Sequence, residues 1–333
     1  MKAIAQKLGQ GLGVLWGALT LVFILFAFIP DPARQLAGQN EQEEVVEAIR
    51  EKYGLNQSPA KRYLHFFMGL SPLQHVAEGW SLEAPDLGRS FISDRPVTEA
   101  IFQSLPATIL LAVLAMALAM TLGLIGGMLC GAVAGSFADR LFLTLASLGM
   151  SAPSFVMAIV VSWLFGSVWH AWTGLPMTGG LWEVHPFLGP RLALHHAILP
   201  ALTLGIRPLS VVFQLTRNSV TEILGSSYVR TAKSKGVGQM RIMTHHVLRN
   251  ALNPVLTAAS GWFASMLAGA VFVEYVFGWQ GMGLLMFRAL EQSDLPMVMG
   301  CVAVIASIFV LVNVAVDLLY GWIDPRVSGS SSR

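Results

Sequence analysis

Few residues in this sequence are arranged to make or break bonds. His170, His185, His195 and His196 fall near one another, but no spacing places two of them on one helix face, so no metal site is expected. There is no H-E-x-x-H and no G-x-x-x-x-G-K-[ST] phosphate loop. Ser151, in Gly149-Met150-Ser151, has only distant histidines as bases, which is thin support for an intramembrane protease. Cys130 and Cys301 both lie in apolar runs and read as small buried hydrophobes. Other residues stand out for charge. Arg207, beside Pro208, Arg217, Glu274 and Asp317 lie in or at the ends of apolar runs, where an ionisable group is expensive and becomes a candidate for a path or gate. The alternative for Arg217 and Asp317 is snorkelling to the interface, or pairing with each other. Tyr228 to Pro254, YVRTAKSKGVGQMRIMTHHVLRNALNP, is the most organised polar stretch.

The elements that position these residues follow from composition. Of 333 residues, 54% are apolar and 12% charged, and the formal net charge is +2. Mean hydropathy is +0.62. A soluble chain of this length needs far more polar surface, and so small a net charge selects no nucleic acid. The chain reads as all-α, a polytopic membrane protein. Long uncharged stretches give six candidate transmembrane helices: Leu8–Pro30, Ser104–Phe137, Leu141 to about Trp169, Leu192–Thr216 interrupted at Arg207-Pro208, Ala251–Val273, and Leu295 to about Val316. The first is too long for a signal-peptide core and no A-x-A site follows it, so it reads as an uncleaved span. Residues 217–249 hold six bases against one acid, and residues 31–99 hold eleven acids against seven bases. The positive-inside rule puts the first segment and both termini in the cytoplasm and the second outside.

The intervening segments have their own signals. Asn40 with Glu43 resembles a capping box, Val45, Val46, Ile49 and Tyr53 recur at helical spacing, and Gly54 ends that run. A second short helix is expected after Pro59, with Tyr63, Phe66 and Phe67 on its apolar side. This outer cap either packs on the spans or meets an external partner. Gly123, Gly127, Gly131 and Gly135 recur every four residues, a small-residue row suited to close helix packing within the chain. Pro153 should kink the third span. Within 228–254, a helix over about Thr221–Lys235 is expected to break at Gly236 and Gly238, and a short amphipathic helix with Met240, Ile242, Met243, Val247 and Leu248 to lead into the fifth span. A plain positive-inside loop explains the charges but not the glycine break.

This stretch resembles the EAA loop of membrane subunits of ABC importers, in the form found in the oligopeptide/dipeptide/nickel permease family. Arg230-Thr231-Ala232 stand at its Glu-Ala-Ala, Gly236 stands at its glycine, and His246-Val247-Leu248-Arg249 replace its Ile-x-Leu-Pro. Further matches run in order along nearly the whole chain. Asp86-Leu87-Gly88-Arg89-Ser90 with Arg95-Pro96-Val97 resembles DLGxS…RPV, Ser104 to Thr108 resembles LPAT, and Leu199 to Thr203 resembles LPALT. Glu274 to Gly283 resembles ExVFxxPGxG, with Gln280 at the proline, and Asp317 to Tyr320 with Asp324-Pro325-Arg326 resembles the C-terminal end. Pro30-Asp31-Pro32 replaces the usual GDP.

The resemblance implies a type I ABC importer permease fold and a non-enzymatic translocation subunit of the bacterial inner (plasma) membrane, forming half of a path for di- or oligopeptides. Nickel or another small solute is the alternative cargo; a secondary transporter is disfavoured by the lack of an inverted repeat. The implied partners are a homologous second permease, two ATP-binding subunits, an external substrate-binding protein and membrane lipid, with no nucleic acid. No cofactor is expected on this chain; ATP and Mg belong to the partner subunits. The ATPase-coupling loop is assigned to Tyr228, Arg230, Thr231, Ala232, Lys233, Lys235, Gly236, Val237, Gly238, Gln239, Met240 and Arg241. The expected division is a cytoplasmic N-terminus with span one (1–30), an external helical segment (31–103), a five-span core (104–322) with the coupling loop at 217–250, and a cytoplasmic tail (323–333).

Labelling tests the topology. With Cys130 and Cys301 replaced by alanine, an impermeant thiol reagent on intact cells should modify Glu44→Cys and spare Lys235→Cys; modification of the latter from outside overturns the orientation.

Overall fold

The computed structural model describes residues 2–27, 32–37, 42–71, 73–76, 79–82, 85–185, 187 and 189–323. In order, these are α1 (Lys2–Ala27), α2 (Pro32–Ala37), α3 (Glu43–Lys52), α4 (Pro59–Leu70), the antiparallel hairpin β1 (Leu73–Val76) and β2 (Gly79–Leu82), and α5 (Val97–Ala132). Next come α6 (Phe137–Ser151), α7 (Ser154–Trp163), a π-helical turn at Leu164–Val168 and α8 (His170–Thr173). A second hairpin, β3 (Trp182–His185) with β4 (Gly189–Leu192), leads through a 3-10 turn, Leu194–Ala197, into α9 (Ile198–Gly225). Then follow α10 (Ser227–Ser234), α11 (Gln239–Arg241), a π-helical segment at Ile242–Leu248, α12 (Arg249–Gly269), α13 (Val271–Phe277), α14 (Met282–Glu291) and α15 (Leu295–Ile323).

Helices dominate because hydrocarbon offers no water to satisfy backbone N–H and C=O groups. Gly9–Phe26, Val97–Ala132, Leu194–Gly225 and Leu295–Val316 are each long and apolar enough to cross a bilayer. Two bent pairs, Phe137–Ser151 with Ser154–Val168 and Pro254–Leu267 with Val271–Phe277, bring the candidate spans among the described residues to six when each pair counts as one. Large apolar side chains such as Leu12, Trp16, Leu122, Leu129 and Leu148 stand exposed, as befits a surface solvated by lipid.

The two prolines expected to disturb spans behave differently. At Pro153 the chain does more than kink: α6 and α7 meet at 114°. Proline pushes the preceding residue out of the helical region, and Ala152 sits at φ −71°, ψ 132°. The interruption expected at Arg207-Pro208 does not occur, and α9 runs unbroken through both residues. Pro208 is buried, and packing of the surrounding helices outweighs the single missing hydrogen bond. The second span starts at Val97, ahead of the expected Ser104, and ends at Ala132.

One compact unit comprises Met1–Pro106 and Gly281–Val314. Its core includes Leu19, Phe23, Leu87, Val97, Ile101, Met282, Met299 and Cys301. The expected helix after Pro59 is α4, capped by Ser58, and Tyr63, Phe66 and Phe67 pack into this core as anticipated. Tyr63 Oη and Thr20 Oγ1 of α1 are 2.7 Å apart, so this helix does pack on a span. Helix α3 starts at Glu43 and ends before Gly54, which has φ +63°; Asn40 lies outside the described residues. Lys52 donates to Asp94 at 3.2 Å, and this bond holds the Asp94 carboxyl below the ordinary carboxylate range. A cavity of about 530 Å³ in this unit is lined by Phe23, Tyr53 and Phe66 together with Lys52, Arg89 and Asp94.

The D-L-G-R-S and R-P-V residues bracket one another here. Arg89 pairs with Pro96 across a β-bridge, Gly88 has φ +79°, and Val97 N–H donates to the Gly88 carbonyl at 3.0 Å. Ser90 Oγ and Phe91 N–H both donate to the carboxylate of Asp294, which is 3% exposed and also accepts from Met297 N–H in the first turn of α15. Asp294 gave no signal in the sequence beyond a polar residue before an apolar run.

The other unit comprises Ala107–Gln280 and Ala315–Arg333, and α9 is its axis. Helices α6, α7 and α12 pack on α9. The glycine row of α5 faces it too. A Cβ at Gly123 would lie 2.7 Å from Val212 Cγ1, at Gly127 2.6 Å from Thr216 Cβ, and at Gly131 2.7 Å from Val220 Cβ. These three therefore serve packing within the chain. Gly135 does not belong to the row in space: it follows the end of α5 at φ +85°.

Overpacking a close helix contact costs about 1–3 kcal/mol or more. Gly127→Val should therefore lower the thermal midpoint of the purified chain by several degrees, whereas Gly13→Ala in α1, where a Cβ meets nothing within 4 Å, should leave it unchanged.

Candidate functional site

The basic stretch folds as a small lobe. Helix α9 ends at Gly225, and Ser226, extended at ψ 152°, separates it from α10. The single helix expected over Thr221–Lys235 is thus two helices. Helix α10 ends in a Schellman turn. Gly236 N–H donates to the Lys233 carbonyl at 3.0 Å, Val237 N–H donates to the Ala232 carbonyl at 3.1 Å, and Gly236 sits at φ +76°. Gly238 differs: it has φ −62° and stands extended before α11. Only Gly236 requires the left-handed region.

An apolar cluster pins the lobe from beneath. Val220 of α9, Val229 of α10, Ile242 and Val247 are fully buried, with Met128, Ile223, Leu224, Val237 and Met243 packed around them. The outer face consists of exposed Tyr228, Arg230, Thr231, Lys233, Lys235, Gly236, Gly238, Gln239, Met240 and Arg241, while Ala232 and Val237 are half-buried. Met240, on the one-turn α11, is 78% exposed, an apolar knob on a basic surface. The amphipathic helix expected to lead into the fifth span is π-helical at Ile242–Leu248 and passes directly into α12, which runs on through Pro254.

The charged candidates sort differently from expectation. Arg217 is anchored rather than snorkelling: its Nε and Nη2 donate to the two carboxylate oxygens of Asp139 at 3.0 and 2.7 Å. Asp139 is 1% exposed and also accepts from Gly135 N–H at 2.8 Å. The partner is therefore an acid in the first turn of α6, while the Asp317 side chain lies outside the described residues. A fork-to-carboxylate pair of this kind combines geometry with strength. Arg207 reaches the α6–α7 break, where Nε and Nη2 lie 3.4 and 3.3 Å from the Met150 carbonyl. It lines a cavity of about 90 Å³ with Ser154, Thr203, Trp262 and Ser265. Ser151 donates to the Ser147 carbonyl at 3.0 Å, a bond within its own helix.

Glu274 does not stand at a surface. It is fully buried, and Thr108 Oγ1 donates to its Oε1 at 2.7 Å. Trp279, also fully buried, donates from Nε1 to the Ala107 carbonyl at 3.0 Å. The Ser104–Thr108 and Glu274–Gly283 motifs thus touch each other through Thr108 and Glu274. Between α8 and α9, the structure gathers His195 and His196 with Glu183, a grouping that linear spacing did not suggest. His170 instead contacts the Leu175 carbonyl through Nδ1 at 2.8 Å.

Residues 123–329 match the family described as the binding-protein-dependent transport system inner membrane component, and residues 4–112 match its N-terminal region. The chain belongs to this family of transport permeases. A Brucella abortus protein named for a peptide transport system permease is 36% identical to this permease over 97% of this chain and 98% of its own length. The dipeptide transport system permease of Alkalihalophilus pseudofirmus is 33% identical over 94% and 95%. The glutathione transport system permease of Salmonella typhimurium is 34% identical over 92% of each. The inward-facing MetNI methionine ABC transporter has the same fold at a TM-score of 0.54 and 16% identity, covering 68% of this chain and 97% of that one. The permease is accordingly a multi-pass inner-membrane component of a binding-protein-dependent ABC importer and not its catalytic subunit. Such a component works with ATPase and substrate-binding proteins.

Removing one member of a buried ion pair costs about 3–5 kcal/mol, because the other charge stays buried alone. Arg217→Met should therefore lower the thermal midpoint sharply, and adding Asp139→Asn should recover most of the loss. A double-mutant cycle on the purified permease measures both.

Proposed function

We propose that the permease forms half of the membrane path of a peptide importer, beside a homologous second permease. Two ATP-binding subunits engage the lobe at residues 226–241 from the cytoplasm, and an external binding protein delivers peptide. The observation that carries the proposal is the lobe itself: an exposed basic and apolar face, Tyr228 to Arg241, on a short helix fixed by a left-handed glycine and an apolar floor. A partner pushing on such a lobe moves α9 and α12 rather than a slack loop, because Val220 of α9 and Val247, in the π-helical segment that runs directly into α12, belong to that floor. Peptide cargo is favoured over nickel by relatives named for peptide, dipeptide and glutathione transport. The charge asymmetry supports cytoplasmic termini, and ATP and Mg are bound by the partner subunits.

Within this scheme Arg207 is the path candidate with the best placement. It combines a cationic head, a small cavity with hydroxyl groups, and a helix break that can hinge. Arg217 and Glu274 serve as internal braces through Asp139 and Thr108.

The experiment is a comparison at Gly236 in the assembled transporter. A β-branched residue is strongly disfavoured at φ +76°, and asparagine is tolerated there. Gly236→Val should strip ATPase subunits from the purified complex and lower peptide uptake at least about tenfold, the scale of a ~1.4 kcal/mol loss. Gly236→Asn should retain most of both. Full ATPase retention with normal uptake in Gly236→Val overturns the docking role of the lobe.

A further inference from the structure

One cluster plays no part in the coupling lobe or the path. Ligand atoms of Glu183, His195 and His196, one from each residue, all lie within 4.8 Å of one another. Glu183 is on β3, and both histidines are on the 3-10 turn that starts α9. The two imidazole rings stand 4.2 Å apart between centroids.

His196 is oriented as metal-binding histidines usually are. Its Nδ1 lies 3.0 Å from the Gly180 carbonyl. A carbonyl only accepts, so Nδ1 carries the proton and Nε2 keeps the lone pair. The ring is also wedged in place, since a Cβ on Gly179 would lie 2.6 Å from His196 Cγ. Gly179 N–H in turn donates to the Phe277 carbonyl at 2.9 Å, which ties this floor to the end of α13. One imidazole is thus preorganised and partly buried, while Glu183 and His195 are exposed.

We infer that Glu183, His195 and His196 form a binding site for a divalent transition-metal ion of the zinc class, which clamps the β3–β4 hairpin to the start of α9. Two imidazoles and one carboxylate are the donor set such ions take, with a fourth position left to water. On a tetrahedral ion with bonds of about 2.0–2.1 Å, neighbouring ligand atoms stand about 3.3 Å apart. The exposed Glu183 and His195 side chains need to close only the remaining distance. Two features oppose the ion: Arg191, paired across the hairpin from Glu183, and the positive end of the helix that follows. The Glu183 carboxylate offsets them, and its loss should therefore weaken binding as much as loss of an imidazole.

The test uses the full permease carrying a histidine-free affinity tag, titrated with zinc alone against a chromophoric chelator. Wild type should take up one ion per chain, and zinc should raise its thermal midpoint. Glu183→Gln and His195→Gln should each weaken binding at least about tenfold, a loss that even an outer-shell change can reach, and should abolish the thermal shift. His170→Gln should change neither. Absence of a stoichiometric site overturns the inference, as does weakening by His170→Gln equal to that by His195→Gln. Both variants must elute as wild type on size exclusion; should either fail, Glu183→Asp serves as the second variant, and binding unchanged by it and by the surviving variant also overturns the site.

Discussion

The near-contact of α5 with α9 is the arrangement on which its unit depends. In a bilayer no hydrophobic force separates helix–helix from helix–lipid contact, so helices associate by close packing and by satisfying polar groups. Gly123, Gly127 and Gly131 remove the side chains that would hold the two backbones apart, and Val212, Thr216 and Val220 occupy the space. With α9 so placed, Arg217 meets Asp139 in the first turn of α6, and Arg207 reaches the broken end of the same helix. Val220 does double service: it fills the groove at Gly131 and anchors the apolar floor of the basic lobe. The posture of a surface segment is thereby linked to packing at membrane depth.

Several motifs that mark the family turn out to be brackets. Thr108 donates to Glu274, and Trp279 reaches the Ala107 carbonyl. Within the unit of Met1–Pro106 and Gly281–Val314, Ser90 and Phe91 are gripped by Asp294. A buried carboxylate with fewer than its full complement of donors is destabilising, so each such acid comes with hydroxyl, amide or guanidinium donors. These residues shape a scaffold, and they take no part in the exposed Tyr228–Arg241 surface or the Arg207 cavity.

The Schellman turn at Gly236 illustrates how a local rule yields a defined surface. Its two backbone bonds and left-handed glycine end α10 sharply. Val237 then folds back on the cluster of Val229 and Ile242, so the exposed bases are presented on one face. Gly238, in ordinary extended backbone, contributes no such constraint.

Whatever depends on near neighbours in the chain could be read from the order of residues alone. Runs of apolar residues defined the spans, helix-stop chemistry placed Gly236, and fourfold glycine spacing announced a packing face whose last member, Gly135, fell beyond the helix. The aromatic face of α4 and the family motifs were equally legible. Only tertiary structure decided which groups meet across long separations. Arg217 chose Asp139, and Glu274 turned inward to Thr108. Pro153 broke its span while Pro208 was absorbed by packing. Glu183 came to His195 and His196 through a hairpin register. The reason is physical: hydropathy and φ preferences are fixed by a residue and its immediate neighbours, whereas a buried charge or a proline is satisfied by whichever helix arrives beside it, and only the packing of the whole unit specifies that.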